Sequence, residues 1–217
     1  MVLDHRKRLA VFVSGGGSNF KTIHAATLDG RINADVQVVV SDKPGCGGWQ
    51  YAQEHGIAIE PFPAIAAAGR DAQAAAEVLR TTLRTTHAVD YVVLAGFLKL
   101  VPEAVVRAYA RAMLNIHPAL LPAFGGKGLY GARVHRAVIA SGARWSGPSV
   151  HFVDADYDTG PILAQRVVPV LPTDSPARLA ARVLAQEHAL YPEAVAALVD
   201  GRITWREDGI PILWSAH

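Results

Sequence analysis

Short apolar runs rich in β-branched residues alternate along this chain with longer helix-like stretches, and few folds accept that pattern. Residues 9–13, 36–40, 91–95 and 113–116 read as buried strands, with 18–28, 48–55, 70–86 and 103–109 as helices among them. The alternation predicts an α/β fold, Rossmann-like, with a mostly parallel sheet flanked by helices. From residue 146 the rhythm changes. Runs 149–153 and 164–170 have no helix between them, so antiparallel strands are expected there. A long amphipathic helix over 177–199 follows, with Thr173 and Ser175 as possible caps ahead of Pro176 in its first turn. Gly201-Arg202 ends it, and a short tail strand is expected beyond.

In sheets of this kind the working residues gather just past the carboxyl ends of strands. Segments 14–19, 96–98 and 115–118 stand at such ends and are expected to open into one crevice. In the first, Ser14-Gly15-Gly16-Gly17-Ser18-Asn19, glycines let the backbone bend close to a ligand, and the helix that follows offers free N–H groups to a phosphate. Phe20 stands where a dinucleotide fingerprint or a triphosphate P-loop needs glycine. The turn therefore suits a smaller phosphate, with Ser18 and Asn19 adding donors. The plain alternative is a glycine turn in which Ser18 caps the helix.

Asn115-Ile116-His117-Pro118 ends another strand. Residues two apart on a strand face the same side, and Pro118 cannot continue the ladder. An amide N–H can hold a developing oxyanion, and an imidazole can hold it or move a proton. A carboxylate, Asp158 in Asp158-Thr159-Gly160-Pro161, can orient the imidazole and favour its charged form. Each residue also has a plainer reading: His117 as a strand-end histidine held by backbone, Asn115 as a turn former, Asp158 as one acid of a solvated run. Their spacing favours a joint role. Ser149 and His151 share a face and are expected to sit behind the site. Tyr130 and the glycine-rich stretch 125–131 read as a lid or a surface loop, and Glu187 as part of a solvated helix face.

Half of the residues (51%) are apolar and 18% are charged, which excludes a disordered chain. A net charge of +2 gives no reason to expect a nucleic-acid or membrane partner. Cys46 is the only cysteine, so no internal disulfide can form; a reducing, cytoplasmic setting is expected, and no secretory signal is read at the start. The longest apolar stretch, 91–101, contains Lys99 and is too short to span a membrane. His117, His135 and His151 lack zinc-type spacing, and the acidic run 154–158 lacks the glycine and closing glutamate of a calcium loop, so no metal is expected.

Blocks 14–19, 93–97, 115–122, 149–153, 158–162 and 186–192 together resemble the glycinamide ribonucleotide transformylases of purine biosynthesis, and they span the chain nearly end to end. The Asn-Ile-His-Pro block with the later Asp-x-Gly-Pro points to folate-dependent formyl transfer; the loop and the helix motif narrow it to this family. The resemblance implies one formyltransferase domain over 1–217, with a phosphate-binding half, 1–110, and a catalytic and folate-binding half, 111–217. It implies direct transfer of the formyl group of 10-formyltetrahydrofolate, a co-substrate, to the amine of glycinamide ribonucleotide. Asn115, His117 and Asp158 match the family's catalytic trio, with His117 expected to be protonated. Gly17, Ser18 and Asn19 would hold the phosphate, and Glu187 the ribose and glycinamide end. Leu98, Lys99, Leu100, Val101 and Asn115 would line the folate pocket, and Arg70 would meet the folate tail. The Leu121-Pro122 bond is expected to be cis. The implied partners are these two small molecules, with the chain a monomer or homodimer.

Three positions depart from the family's usual residues: Lys99 for Arg, Pro148 for Thr, and Gly125-Gly126 for Pro-Gly. Three rival readings stand beside the resemblance. A formyltetrahydrofolate hydrolase is disfavoured by the phosphate-type turn, and a methionyl-tRNA formyltransferase by the weak net charge. A binding protein with a dead site is disfavoured by the intact trio.

Overall fold

The computed structural model describes residues 6–63 and 71–214. The chain forms two compact units, Met1–Met113 and Leu114–His217.

In the first unit β1 (Lys7–Val13), β2 (Ala34–Ser41), β3 (Ala58–Pro61) and β4 (Tyr91–Leu94) lie in the order β3-β2-β1-β4, all parallel. Leu9 through Val13 of β1 are completely buried, which is why that strand reads as a continuous apolar run rather than an alternation. The crossovers include α1 (Ser18–Leu28), α2 (Gly47–Glu54) and α3 (Ala72–Thr81), and α4 (Glu103–Ala108) follows β4. β3 was not expected: its four residues are all partly or fully exposed and carry no apolar run. The helix expected over 70–86 is two pieces, α3 and a π-helical turn at Thr82–Thr86, with Leu79 and Leu83 buried one turn apart.

In the second unit β5 (Met113–His117), β7 (Ser149–Phe152) and β8 (Ile162–Gln165) run antiparallel in that order. β6 (Trp145–Ser146) pairs with β9 (Val168–Pro169), and β10 (Ile203–Trp205) forms a hairpin with β11 (Pro211–Leu213), where a single tail strand was expected. The strand expected over 164–170 is split. Arg166 N–H donates to the Pro148 carbonyl, and the chain then leaves β7 to pair with β6. α5 (Ala132–Ala140) starts at Gly131 with no side-chain cap, so the sequence carries no start signal for it. Its Val134 and Val138 pack with Leu179 and Val183 of α6 (Pro176–Val199). α6 begins as expected, with Ser175 Oγ accepting the Arg178 N–H at 3.3 Å and Pro176 in the first turn. Tyr191 of α6 donates its hydroxyl to the Leu114 carbonyl of β5 at 3.0 Å, fastening the helix to the strand that carries Asn115 and His117.

The architecture is thus α/β, mostly parallel, with antiparallel strands and a long helix in the second half. Among the described residues no helix is long and apolar enough to cross a membrane.

Candidate active site

Asn115 and His117 project from the same side of β5, and Asp158 meets them from the loop ahead of β8. His117 Nδ1 lies 3.4 Å from Asp158 Oδ2, and His117 Nε2 donates to the Phe124 carbonyl at 2.9 Å. The same carboxylate oxygen accepts the Gly126 N–H at 2.9 Å. Asn115 Nδ2 lies 3.0 Å from His151 Nε2 and 3.4 Å from Asp158 Oδ1. His151 donates Nδ1–H to the Phe152 carbonyl at 2.8 Å, which leaves Nε2 as the lone-pair nitrogen that accepts from Asn115.

The structure therefore gathers the expected trio and adds His151, which sequence reasoning put behind the site. Asn115 and His151 are direct partners across the β5–β7 ladder, so their side chains share one face. That register is invisible without knowing which strands pair. Ser149, two residues earlier, does act from behind. Its Oγ donates to the Ala119 carbonyl at 2.7 Å and accepts N–H bonds from Leu121 (3.0 Å) and Gln165 (2.8 Å). These bonds hold the segment that contains the cis Leu121-Pro122 bond.

Gly160 has its own reason for being in the Asp158-Thr159-Gly160-Pro161 block. A Cβ there would stand 1.9 Å from the Phe152 carbonyl oxygen, the same oxygen that anchors His151. Only glycine lets the Asp158 loop press so closely against β7. Asp158 itself sits at φ 59°, a left-handed conformation that Asp tolerates better than most residues.

Burial pushes the His117 pKa below the ordinary imidazole value, and the pull of Asp158 and the Phe124 carbonyl only partly offsets it. Both ring nitrogens are engaged, Nε2 by the Phe124 carbonyl and Nδ1 by the Asp158 carboxylate. Burial works to raise the Asp158 pKa, but the neighbouring imidazoles and the Gly126 N–H outweigh it and hold the carboxyl below the usual carboxylate range. His135 of α5, 4% exposed, is a further buried imidazole, its pKa lowered by burial first and by the neighbouring His117 second. The sequence considered it only as a metal ligand. Among the described residues no group of three or more His, Cys, Asp or Glu is placed to hold a metal ion.

The 14–19 turn is built within the first unit. Ser14 N–H donates to the Gly96 carbonyl at 3.2 Å, and Ser14 Oγ accepts the Leu98 N–H at 2.9 Å, tying the turn to the segment after β4. The N-cap of α1 is Gly17, at φ 71° and without a side-chain cap bond, so Ser18 is the first helical residue and not the cap. Ser18 is exposed and Asn19 buried. Leu98, Lys99 and Leu100 are exposed to solvent, whereas Val101 is buried. Arg70 lies outside the described residues.

Glu187, expected on a solvated face, is buried at 8% exposure. It shares the inner stripe of α6 with Val183 and Leu190, four residues before and three after, so the helix period carries it inward. In the 125–131 stretch, Leu129 N–H donates to the Gly126 carbonyl, Leu129 packs on the core, and Tyr130 lies under the Arg133 guanidinium at 4.8 Å. The loop is folded and fastened to Asp158 through Gly126.

An amide, an imidazole and a carboxylate thus meet at a strand end of an α/β fold. The chain belongs to the formyl transferase family, whose model, described as "Formyl transferase", matches residues 7–195. Within that family it falls among the phosphoribosylglycinamide formyltransferases, which are one-carbon transferases. It is 57% identical to the chloroplastic phosphoribosylglycinamide formyltransferase of Vigna unguiculata over 214 residues, 99% of this chain and 68% of that protein. The phosphoribosylglycinamide formyltransferase of Escherichia coli K12 is 37% identical, over 92% of this chain and 91% of that one. The crystal structure of glycinamide ribonucleotide transformylase 1 from Symbiobacterium toebii matches with a TM-score of 0.87 at 35% identity, covering 98% of this chain and 96% of the other.

Proposed function

We propose that this enzyme transfers the formyl group of 10-formyltetrahydrofolate to the amine of glycinamide ribonucleotide, a step of purine biosynthesis, and that Asn115, His117 and Asp158 carry the chemistry. The observation that carries the reading is their meeting, with the buried His151, in one cluster. Family membership supplies the substrates.

The substrate amine attacks the formyl carbon and a tetrahedral oxyanion forms. Of the two Asn115 N–H groups, one is fixed by His151 at 3.0 Å and the other is loosely held by Asp158 at 3.4 Å. With the amide plane set by His151, the loosely held N–H is the one left to donate to an oxyanion lying along it. Negative charge growing beside His117 raises the affinity of that ring for a proton. His117 thus takes up the proton that the amine loses, with Asp158 stabilising the imidazolium. The intermediate then collapses, the bond from the formyl carbon to N10 of the folate breaks, and N10 receives the proton. One proton leaves the amine and one arrives at N10, so nothing is gained or lost overall. Gly17, Ser18 and Asn19 hold the phosphate, Glu187 holds the ribose and glycinamide end, and Leu98, Lys99, Leu100 and Val101 line the folate side.

The reading is tested by following tetrahydrofolate release from 10-formyltetrahydrofolate with and without glycinamide ribonucleotide. Release that requires the ribonucleotide supports transfer. Equal release without it would mean that water is the acceptor and the enzyme is a hydrolase.

A further inference from the structure

α2 opens with two glycines set backbone to backbone against the 14–19 turn. Gly48 N–H donates to the Gly15 carbonyl at 2.9 Å. A methyl on Gly17 would stand 2.8 Å from Gly48 Cα, and one on Gly47 would stand 3.0 Å from Gly16 Cα and 3.1 Å from the Gly16 carbonyl oxygen. A methyl on Gly48 would meet Cγ2 of Val13, the last residue of β1, at 2.9 Å. Methyls on Gly15 or Gly16 would meet nothing within 4 Å. The turn is open on its outer side and filled on its inner side by the start of α2.

Three consecutive glycines have wide conformational freedom, and ordering them around a ligand costs entropy. A backbone carbonyl turned toward a phosphate would also repel it. The Gly48 N–H draws the Gly15 carbonyl to the α2 side, and the close contact of Gly47 with Gly16 fixes the next peptide. A side chain at Gly47 would wedge the two backbones apart, and one at Gly48 would press α2 away from Val13.

We propose that Gly47 and Gly48 are positioning residues for phosphate binding: they form a backing that fixes the shape of the turn at Gly15, Gly16 and Gly17 and so sets the affinity for the phosphorylated substrate without touching it. This rests on the reading of the turn as the phosphate site.

Gly47→Ala requires Gly16 to move by a few tenths of an ångström. It should raise the KM for glycinamide ribonucleotide by about tenfold, given how steeply binding geometry is felt at active sites. The kcat and the KM for 10-formyltetrahydrofolate should stay within about twofold, as expected when only ground-state binding of one substrate is lost. Gly48→Ala, which presses on Val13, should have a similar effect, and Val13→Ala in the same chain should reverse it. General damage to the fold would lower kcat for both substrates and would not be rescued by trimming a core residue. Inorganic phosphate, followed through the backbone amide NMR shifts of residues 15–19, separates the two layers of the claim. Wild-type amides that ignore phosphate would remove the phosphate reading and this proposal with it. Wild-type amides that respond, with unchanged KM and phosphate affinity in both folded single variants, would overturn the backing role alone. Should Gly47→Ala not fold, the Gly48→Ala and Val13→Ala comparison decides.

Discussion

Nδ1 of His117 lies 3.4 Å from Oδ2 of Asp158, and one short stretch of backbone fastens both residues. The Phe124 carbonyl takes the other ring nitrogen at 2.9 Å, and the Gly126 N–H binds the carboxylate at 2.9 Å. The start of the glycine-rich loop is therefore part of the catalytic geometry. A Cβ on Gly125, between them, would stand 2.5 Å from Leu121 Cδ2 and 3.1 Å from Asp158 Cβ. Gly125→Ala should push Asp158 away from His117 and lower kcat by about tenfold, the scale of a small misplacement at a reacting centre. A kcat equal to wild type would show that the loop only covers the site.

His151 should matter through Asn115. Replacing it by Leu removes the acceptor that fixes the Asn115 amide at 3.0 Å. The expected loss is about 10- to 100-fold in kcat, the range seen when groups that orient catalytic ligands are removed. Steady-state kinetics on a variant of unchanged melting temperature measures it.

Ser149→Ala tests the support behind the site. Ser149 is fully buried, and its loss strands the Leu121 N–H and the Ala119 carbonyl without their partner. Stranded buried groups cost about 1–3 kcal/mol, so unfolding free energy should fall by about 2 kcal/mol. Urea denaturation reads the difference directly.

Gly160→Ala should be far more damaging than its size suggests, because the new methyl would overlap the Phe152 carbonyl. That carbonyl is also the acceptor that anchors His151. Loss of soluble, folded protein or a destabilisation above about 4 kcal/mol is expected, a magnitude reserved for a few mechanisms such as this overlap. A well-folded, active Gly160→Ala enzyme would contradict the close packing of the Asp158 loop.

Stability should fall on mild acidification. His117 and His135 both have folded-state pKa values below the ordinary 6.5, burial being the first cause for each. Below 6.5 the unfolded chain binds protons that the folded chain refuses, so stability is whole above that value and is lost as pH falls through the folded-state values. Melting temperature followed from about pH 7.5 to about pH 5 should decline, and less steeply in a His117→Gln, His135→Gln double variant. A profile unchanged by that double variant would place the acid sensitivity elsewhere.

The strands and long helices were legible in the sequence because apolar period is what they are made of: Leu9 to Val13, and the inner stripe of α6 with Val183 and Leu190. Asn115, His117 and Asp158 were legible from residue type and strand-end position. Cross-strand register was not, and it is register that sets His151 against Asn115. The burial of Glu187 was hidden for a related reason: a carboxylate looks solvated until the helix phase is known, and its phase is that of buried neighbours. The wedge of Gly47 and Gly48 against the 14–19 turn involves no side chain at all, so composition and spacing carry no trace of it. α5, uncapped and entered from a glycine-rich loop, lacked a start signal.

The central claim is that the Asn115, His117 and Asp158 cluster in the second unit performs formyl transfer, and the single-turnover rate of Asn115→Ala tests it most directly. With both substrates saturating, the rate should fall by about 10²–10³, the usual consequence of losing one oxyanion donor, while affinity for the ribonucleotide phosphate stays near wild type. A rate close to wild type would contradict the assignment of this cluster to the chemistry.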